Sequence, residues 1–250
     1  MRIFYPLFCR LLAIGWLIAV PSAARAAETA DPVRGLVRAE ATATISSELV
    51  AQIKKLPFKV GQLFRMGDIL VAFDCRRYQA DLRAAAAEVH VNKITADQNR
   101  ELLRLRAGGA NDLAIAEAKL AQAQAGMDSL KVRLSQCIIR APFDGRVSER
   151  LADVFERPRA NAPLLKIVKT GNLELDLIIP SNWATWLRSG QQFSFRIDET
   201  KTVHTAEVLY LGAVVDPISR TVRVSARLIN PVANVRPGMS GSAEFPLPSN

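Results

Sequence analysis

The stretch LAIAEAKLAQAQAGMDSLKVRLSQCIIRAPFDG, residues 113–145, decides the fold. Its first part repeats every seven positions. Leu113, Leu120, Met127 and Leu134 form one row, and Ala116, Ala123, Leu130 and Cys137 form a second row offset by three. Alternating steps of three and four put both rows on one stripe of a helix, the pattern of a coiled-coil seam. The repeat then runs directly into the turn Ala141-Pro142-Phe143-Asp144-Gly145 between short apolar runs. Working backwards, Arg76 to Ala107 is also helical in character, with Leu82, Val89, Ala96 and Leu103 on one row and Asn92 and Asn99 on a second. Buried asparagines at such positions fix register at some cost in stability. Between the helices lies Ala107-Gly108-Gly109-Ala110-Asn111-Asp112. Here we expect the two glycines to release the first helix through positive φ, and Asn111 or Asp112 to cap the second.

The flanks of this hairpin read as short strands with glycine turns. Upstream, Leu49 to Ile53 alternates, Gly61 and Gly67-Asp68 mark turns, and Ile69 to Phe73 is a buried-strand run. Downstream, Ile138-Ile139, Val147 and Pro163 to Val168 repeat the style. Each flank is too short and too rich in turns to bury a core alone, so the two are expected to form one small sandwich interrupted by the hairpin. After Gly171 the pattern changes. Strands are expected at Leu173 to Ile179, Gln192 to Ile197, Val203 to Val214, Thr221 to Ile229 and Ser240 to Phe245, with a short helix from Asn182 to Arg188. Five strands and one helix suggest a small β-barrel or sandwich.

Cys75 and Cys137 stand at the two ends of the hairpin. An antiparallel hairpin brings its ends together, so a disulfide is sterically plausible. The alternative is a pair of buried free thiols. An oxidising compartment favours the bridge.

The first 26 residues read as a secretory signal. Arg2 and Arg10 flank a short basic region, Leu11 to Val20 is apolar, and Ala24-Arg25-Ala26 offers small residues for cleavage before Ala27. The apolar run is shorter than the ~20 residues needed to span a bilayer. Cys9 precedes that run without a lipobox. The formal charge is +9, and removing the three arginines of the signal leaves +6, spread along the chain without a block. Aromatics are 6%, so the basic patch with interleaved rings that nucleic-acid binding needs is absent.

Catalytic motifs are missing too. His90 and His204 are far apart and have no spaced partner to ligate a metal. Neither a phosphate-cradling glycine loop nor a nucleophile elbow occurs. Ser219 and Ser240 sit beside turns, and the carboxylates Glu117 and Asp128 read as solvated helix faces. We therefore expect no enzyme, no cofactor and no metal.

Several segments together resemble the HlyD-type membrane fusion proteins, the periplasmic adaptors of tripartite efflux and secretion systems. They are Val60-Gly61-Gln62-Leu63 through Gly67 to Asp74, Ile139 to Val147, Val215-Asp216-Pro217-Ile218-Ser219-Arg220-Thr221-Val222-Arg223-Val224, and Arg236-Pro237-Gly238-Met239-Ser240-Gly241. The resemblance covers about residues 40 to 245. It implies an α+β, elongated fold: a lipoyl-like β-sandwich (a barrel-sandwich hybrid) split by an α-helical coiled-coil hairpin, then a small β-barrel. The implied boundaries are 1–26 for the signal peptide, 40–74 and 138–169 for the sandwich, 75–137 for the hairpin and 170–246 for the barrel. Lipoyl carriers present a modified lysine where their halves join. Here the whole hairpin replaces that junction.

The resemblance also implies a function. Such a chain would sit in the periplasm, peripheral to the inner membrane through its partner. It would link an inner-membrane transporter of the RND or ABC type to an outer-membrane channel, as a homo-oligomeric ring or funnel. Its hairpin tip would dock on the channel through Arg100, Leu105, Gly109 and Asn111, with asparagine standing where the family more often has serine. Two departures from many adaptors are a missing or rudimentary membrane-proximal domain and the lack of a lipid or spanning anchor. The alternative function is a periplasmic scaffold or binding module that uses the same fold without transport.

Overall fold

The computed structural model describes residues 33–230 and 234–246. The expected signal peptide, residues 1–26, lies outside them. In chain order the elements are β1 (Val33–Ala39), β2 (Thr42–Ser46), β3 (Ile53–Lys55), β4 (Leu63–Phe64), β5 (Ile69–Phe73), α1 (Arg76–Arg104), α2 (Ala110–Ser135), β6 (Ile138–Arg140), β7 (Gly145–Arg150), β8 (Pro163–Lys169), β9 (Leu173–Pro180), β10 (Gln192–Ile197), β11 (Val203–Asp216), β12 (Thr221–Leu228) and β13 (Ser240–Glu244).

The two flanks of the hairpin form two facing sheets, β2-β8-β7-β4 and β3-β5-β6. Leu70, Val71, Leu164, Leu165 and Ile167 fill the space between them. Strands β5 and β6 are antiparallel neighbours on either side of the hairpin, with Ala72 opposite Ile138. The turn at residues 141–145 is the joint between the halves. Ala141 accepts from the Gly67 N–H and donates to the Asp68 carbonyl, both at 2.9 Å. Asp144 Oδ1 accepts the Met66 N–H at 2.7 Å. Only glycine fits at 145, because a Cβ there would lie 2.5 Å from the Val168 carbonyl and 2.7 Å from the Phe64 ring.

The second body is a closed barrel in the order β1-β13-β10-β11-β12-β9. Five of its strands are those expected from the sequence. The sixth, β1, was not expected, and it closes the barrel by pairing with β9 on one side and β13 on the other. Gly35 of β1 faces Gly241 of β13 in register, and both leave room for the fully buried Phe195 ring. A Cβ would come within 2.9 Å of that ring from Gly35 and 2.6 Å from Gly241. The Pro237-Gly238 turn carries positive φ at Gly238 (96°), closed by the Met239 N–H on the Arg236 carbonyl, as a type II turn requires.

The expected helix at 182–188 is instead a 3₁₀ turn, Ser181–Thr185. Trp183 and Trp186 must both pack against the barrel core beside Phe245, and the Arg188 guanidinium takes up the freed carbonyls of Ala184, Thr185 and Leu187. With the helical turn ended at Thr185, these carbonyls have no continuing helical ladder to accept from.

Candidate functional site

The hairpin is built from one stripe on each helix. The residues of α2 that are not exposed are Leu113, Ala116, Leu120, Ala123, Met127, Leu130 and Leu134. In α1 they are Tyr78, Leu82, Ala85, Val89, Asn92, Ala96, Asn99 and Leu103. These are the heptad rows, extended in α1 by Tyr78 and Ala85. The asparagines bond locally, with the amide N–H of Asn92 donating to the Glu88 carbonyl at 3.0 Å and that of Asn99 to the Thr95 carbonyl at 2.9 Å. At the base, Cys75 and Cys137 are joined by a disulfide, Cα to Cα 6.1 Å.

The tip departs from expectation in two ways. First, α1 ends on Arg106, at φ 60°, and not on a glycine. The Arg106 and Ala107 N–H groups donate to the Leu103 and Leu102 carbonyls, the paired bonds of a Schellman ending. Gly108 is needed for space, since a Cβ there would meet the Leu102 Cβ at 2.9 Å. Second, the N-cap of α2 is Gly109, in extended geometry, with no side-chain capping bond. Asn111 and Asp112 sit inside the first turn, where the Asp112 charge favours the helix dipole.

Leu105, Gly109 and Asn111 gather at this tip and are exposed. Arg100 does not join them. At 100° per residue it lies about 140° round α1 from Leu105. Its guanidinium is engaged inside the hairpin, with Glu117 of α2 at 2.7 Å and Asp97 at 2.6 Å. Hydrogen bonding to Glu117, then to Asp97, pushes the Arg100 pKa up. Glu117 is thus not a free solvated carboxylate, because it clamps the two helices together. The heptad period sets which faces of α1 and α2 meet but not their register, so it does not by itself place Arg100 beside Glu117. Asp128 pairs with Lys131 at 2.9 Å.

The remaining polar residues serve turns. Asp216 Oδ1 accepts from the Ser219 and Ile218 N–H groups at 2.8 and 2.9 Å, and these bonds lower its pKa, that of Ser219 foremost. Glu199 accepts the Ser240 N–H, which lowers its pKa likewise. His204 meets the Thr202 hydroxyl at 2.6 Å. Among the described residues no group of three or more His, Cys, Asp or Glu is placed to hold a metal ion, and no helix is long and apolar enough to cross a membrane.

Known proteins share this architecture. The family model for the CusB-like β-barrel domain matches residues 175–248. The membrane fusion protein Spr0693 of Streptococcus pneumoniae superposes with a TM-score of 0.73 at 18% identity, covering 88% of this chain and 100% of that one. A MacA-MexA chimeric protein carrying the Pseudomonas aeruginosa MexA α-hairpin domain gives 0.72 at 22% identity, covering 84% and 78%. Among curated proteins, the cobalt-zinc-cadmium resistance protein CzcB of Cupriavidus metallidurans is 21% identical over 213 residues, 79% of this chain and 41% of its own length. The multidrug resistance protein MdtA of Photorhabdus laumondii is 24% identical over 219 residues, 78% and 55%. The chain spans about half the length of the curated relatives it matches. The fold is that of the membrane fusion proteins, as the sequence motifs imply.

Proposed function

We propose that this chain is a periplasmic adaptor, a membrane fusion protein that links an inner-membrane transporter to an outer-membrane channel and does no catalysis. One observation carries the reading. A lipoyl-like sandwich is split at the position where a carrier would present its lysine, and the insertion is a helical hairpin locked at its base by Cys75–Cys137 and ending in an exposed tip. Such an insertion supplies reach in place of a swinging arm. Its relatives CzcB and MdtA are named for cobalt-zinc-cadmium resistance and multidrug resistance, so they select no single cargo.

The docking surface at the tip is Leu105, Gly109 and Asn111. Arg100 acts one turn or more below it, by holding α1 to α2 through Glu117. The transporter, of the RND or ABC type, is engaged by the sandwich and barrel end of a homo-oligomeric ring. The test is affinity isolation of the full chain from detergent-solubilised envelopes. Both a transporter and an outer-membrane channel should co-isolate, and Asn111→Asp should lose the channel while keeping the transporter. Isolation of neither, from cells with intact envelopes, would leave a scaffold without transport as the better reading.

A further inference from the structure

The two most exposed large apolar side chains among the described residues belong to one turn of the barrel. They are Ile218, 93% exposed, at the tip between β11 and β12, and Val214, 77%, near the end of β11. Val215 and, on the neighbouring strand β9, Ile178 join them at 48% and 57%. Strand pairing brings the four together, since Val215 lies opposite Val222 and Ile178 opposite Arg223. From Gly212 to Arg220 every residue is exposed. Single exposed apolar residues need no explanation, but a patch of them marks a contact surface.

The tip is held in shape by its own bonds. Asp216 Oδ1 accepts the Ile218 and Ser219 N–H groups, the Arg220 N–H donates to the Asp216 carbonyl at 2.9 Å, and the Ser219 and Thr221 hydroxyls meet at 2.8 Å. These bonds and the fixed φ of Pro217 keep the Ile218 side chain out in water. They also turn the one carboxylate of the tip onto its own backbone. The cations are left free. Arg220 and Arg223 are exposed and neither makes an ion pair among the described residues, whereas Arg227, further back on β12, pairs with Glu207 at 2.9 Å.

The chemistry of the patch selects its partner. Protein interfaces centre on aromatic or arginine anchors set in pockets. Here residues 212–224 hold no aromatic side chain, and the apolar groups protrude. Aliphatic side chains on a protruding turn with arginines beside them suit the headgroup layer of a bilayer, where apolar groups are buried and cations meet phosphate. The direction of the chain agrees. Leu36 pairs with Asp176 and Ala39 with Leu173, so β1 starts at the end of the barrel where β9 reaches Pro180 and the tip lies. Residues 21–32, at most about 40 Å when extended, join the start of β1 to the expected export segment Leu11 to Val20. Export therefore brings this end of the barrel to the bilayer first.

We infer that the β11–β12 tip is a membrane-surface contact: Ile218, Val214, Val215 and Ile178 enter the headgroup layer of an anionic bilayer, and Arg220 and Arg223 meet lipid phosphates. The inference goes beyond the adaptor reading and takes from it only the periplasmic location.

The test is sedimentation with vesicles of phosphatidylcholine alone or mixed equally with phosphatidylglycerol. The protein begins at Ala27, which keeps every described residue and lacks Leu11 to Val20. It should prefer the mixture and be released by salt. Since each cation near an anionic surface is worth about fivefold in affinity, Arg220→Gln with Arg223→Gln should weaken binding about 25-fold. Ile218→Asp should abolish binding with the tryptophan emission of the barrel unchanged, and Val203→Asp, at the opposite end of β11, should not affect it. A polarity-sensitive dye on Ile218→Cys should shift to the blue on binding, and one on Val203→Cys should not. Cys75 and Cys137 are bonded and leave no competing thiol. Sedimentation with neither vesicle, binding that survives Ile218→Asp, or equal shifts from both dyes overturns the contact. Binding only to vesicles that hold a reconstituted transporter overturns it too, and assigns the tip to a protein. Vesicle binding without a co-isolated transporter keeps the contact and removes the adaptor, and co-isolation without vesicle binding does the reverse.

Discussion

Opening the Cys75–Cys137 bond should weaken the sandwich and hairpin while sparing the barrel. The perturbation is the double variant Cys75→Ala with Cys137→Ala, chosen over serine because both sulfurs are buried and a hydroxyl there would lack a partner. The bond closes a loop of 62 residues. Confining such a loop removes about 14 cal/mol/K from the unfolded chain, or about 4 kcal/mol at 25 °C. With a urea slope of about 3 kcal/mol/M, the midpoint should fall by about 1.4 M. Two probes separate the bodies. Ellipticity at 222 nm follows α1 and α2. In protein beginning at Ala27 the remaining tryptophans, Trp183 and Trp186, report on the barrel core against which they pack. The ellipticity transition should move and the fluorescence transition should not, and thiol reduction of the native chain should reproduce the shift. A midpoint change below about 0.3 M in ellipticity would refute the loop-closure argument. Equal shifts in both probes would refute the independence of the two bodies.

Other outcomes follow from packing and charge. Gly241→Ala and Gly145→Ala force a Cβ against the Phe195 ring and the Val168 carbonyl, so each should cost about 1–3 kcal/mol in urea melts, the first seen by fluorescence and the second by ellipticity. Arg100→Ala removes surface ion pairs that hold α1 to α2. It should move the urea midpoint of the ellipticity only slightly, less in high salt, and leave the helical signal intact. Asp216 has a lowered pKa in the folded state, so its contribution is present above the ordinary carboxylate range and is lost as pH falls through the lower folded value. Asp216→Asn should flatten the acid limb of the barrel's stability profile below about pH 4, measured by tryptophan fluorescence. A profile identical to the native one would remove Asp216 from that account.

Much of this architecture could be read in the chain because burial leaves a local trace. A hairpin helix hides one stripe, so Leu113 to Leu134 and Leu82 to Leu103 recur every seven residues. Strand β1 left no such trace. Its seven residues include Gly35 and two arginines, and its partners lie in β9 and β13, far along the chain. The pairing is set by barrel closure, not by local pattern. The tip misled in the opposite way. Gly108 and Gly109 look like a helix stop, yet Arg106 takes the left-handed position, while Gly108 is needed for space beside Leu102. The resemblance implied Arg100 as a docking residue, because it falls at a comparable spacing from the tip. Its engagement with Glu117 depends on the cross-helix register, which the seam fixes only once both helices are aligned.

The most direct measurement of the adaptor account is photo-cross-linking from the hairpin tip. A photoreactive side chain replaces Asn111 in the full chain in living cells, and the adduct is identified by mass spectrometry. The account predicts one dominant outer-membrane channel protein, with the adduct absent when the same group replaces the exposed Lys119 on the flank of α2. Adducts confined to soluble periplasmic proteins, or equal from both positions, would contradict it.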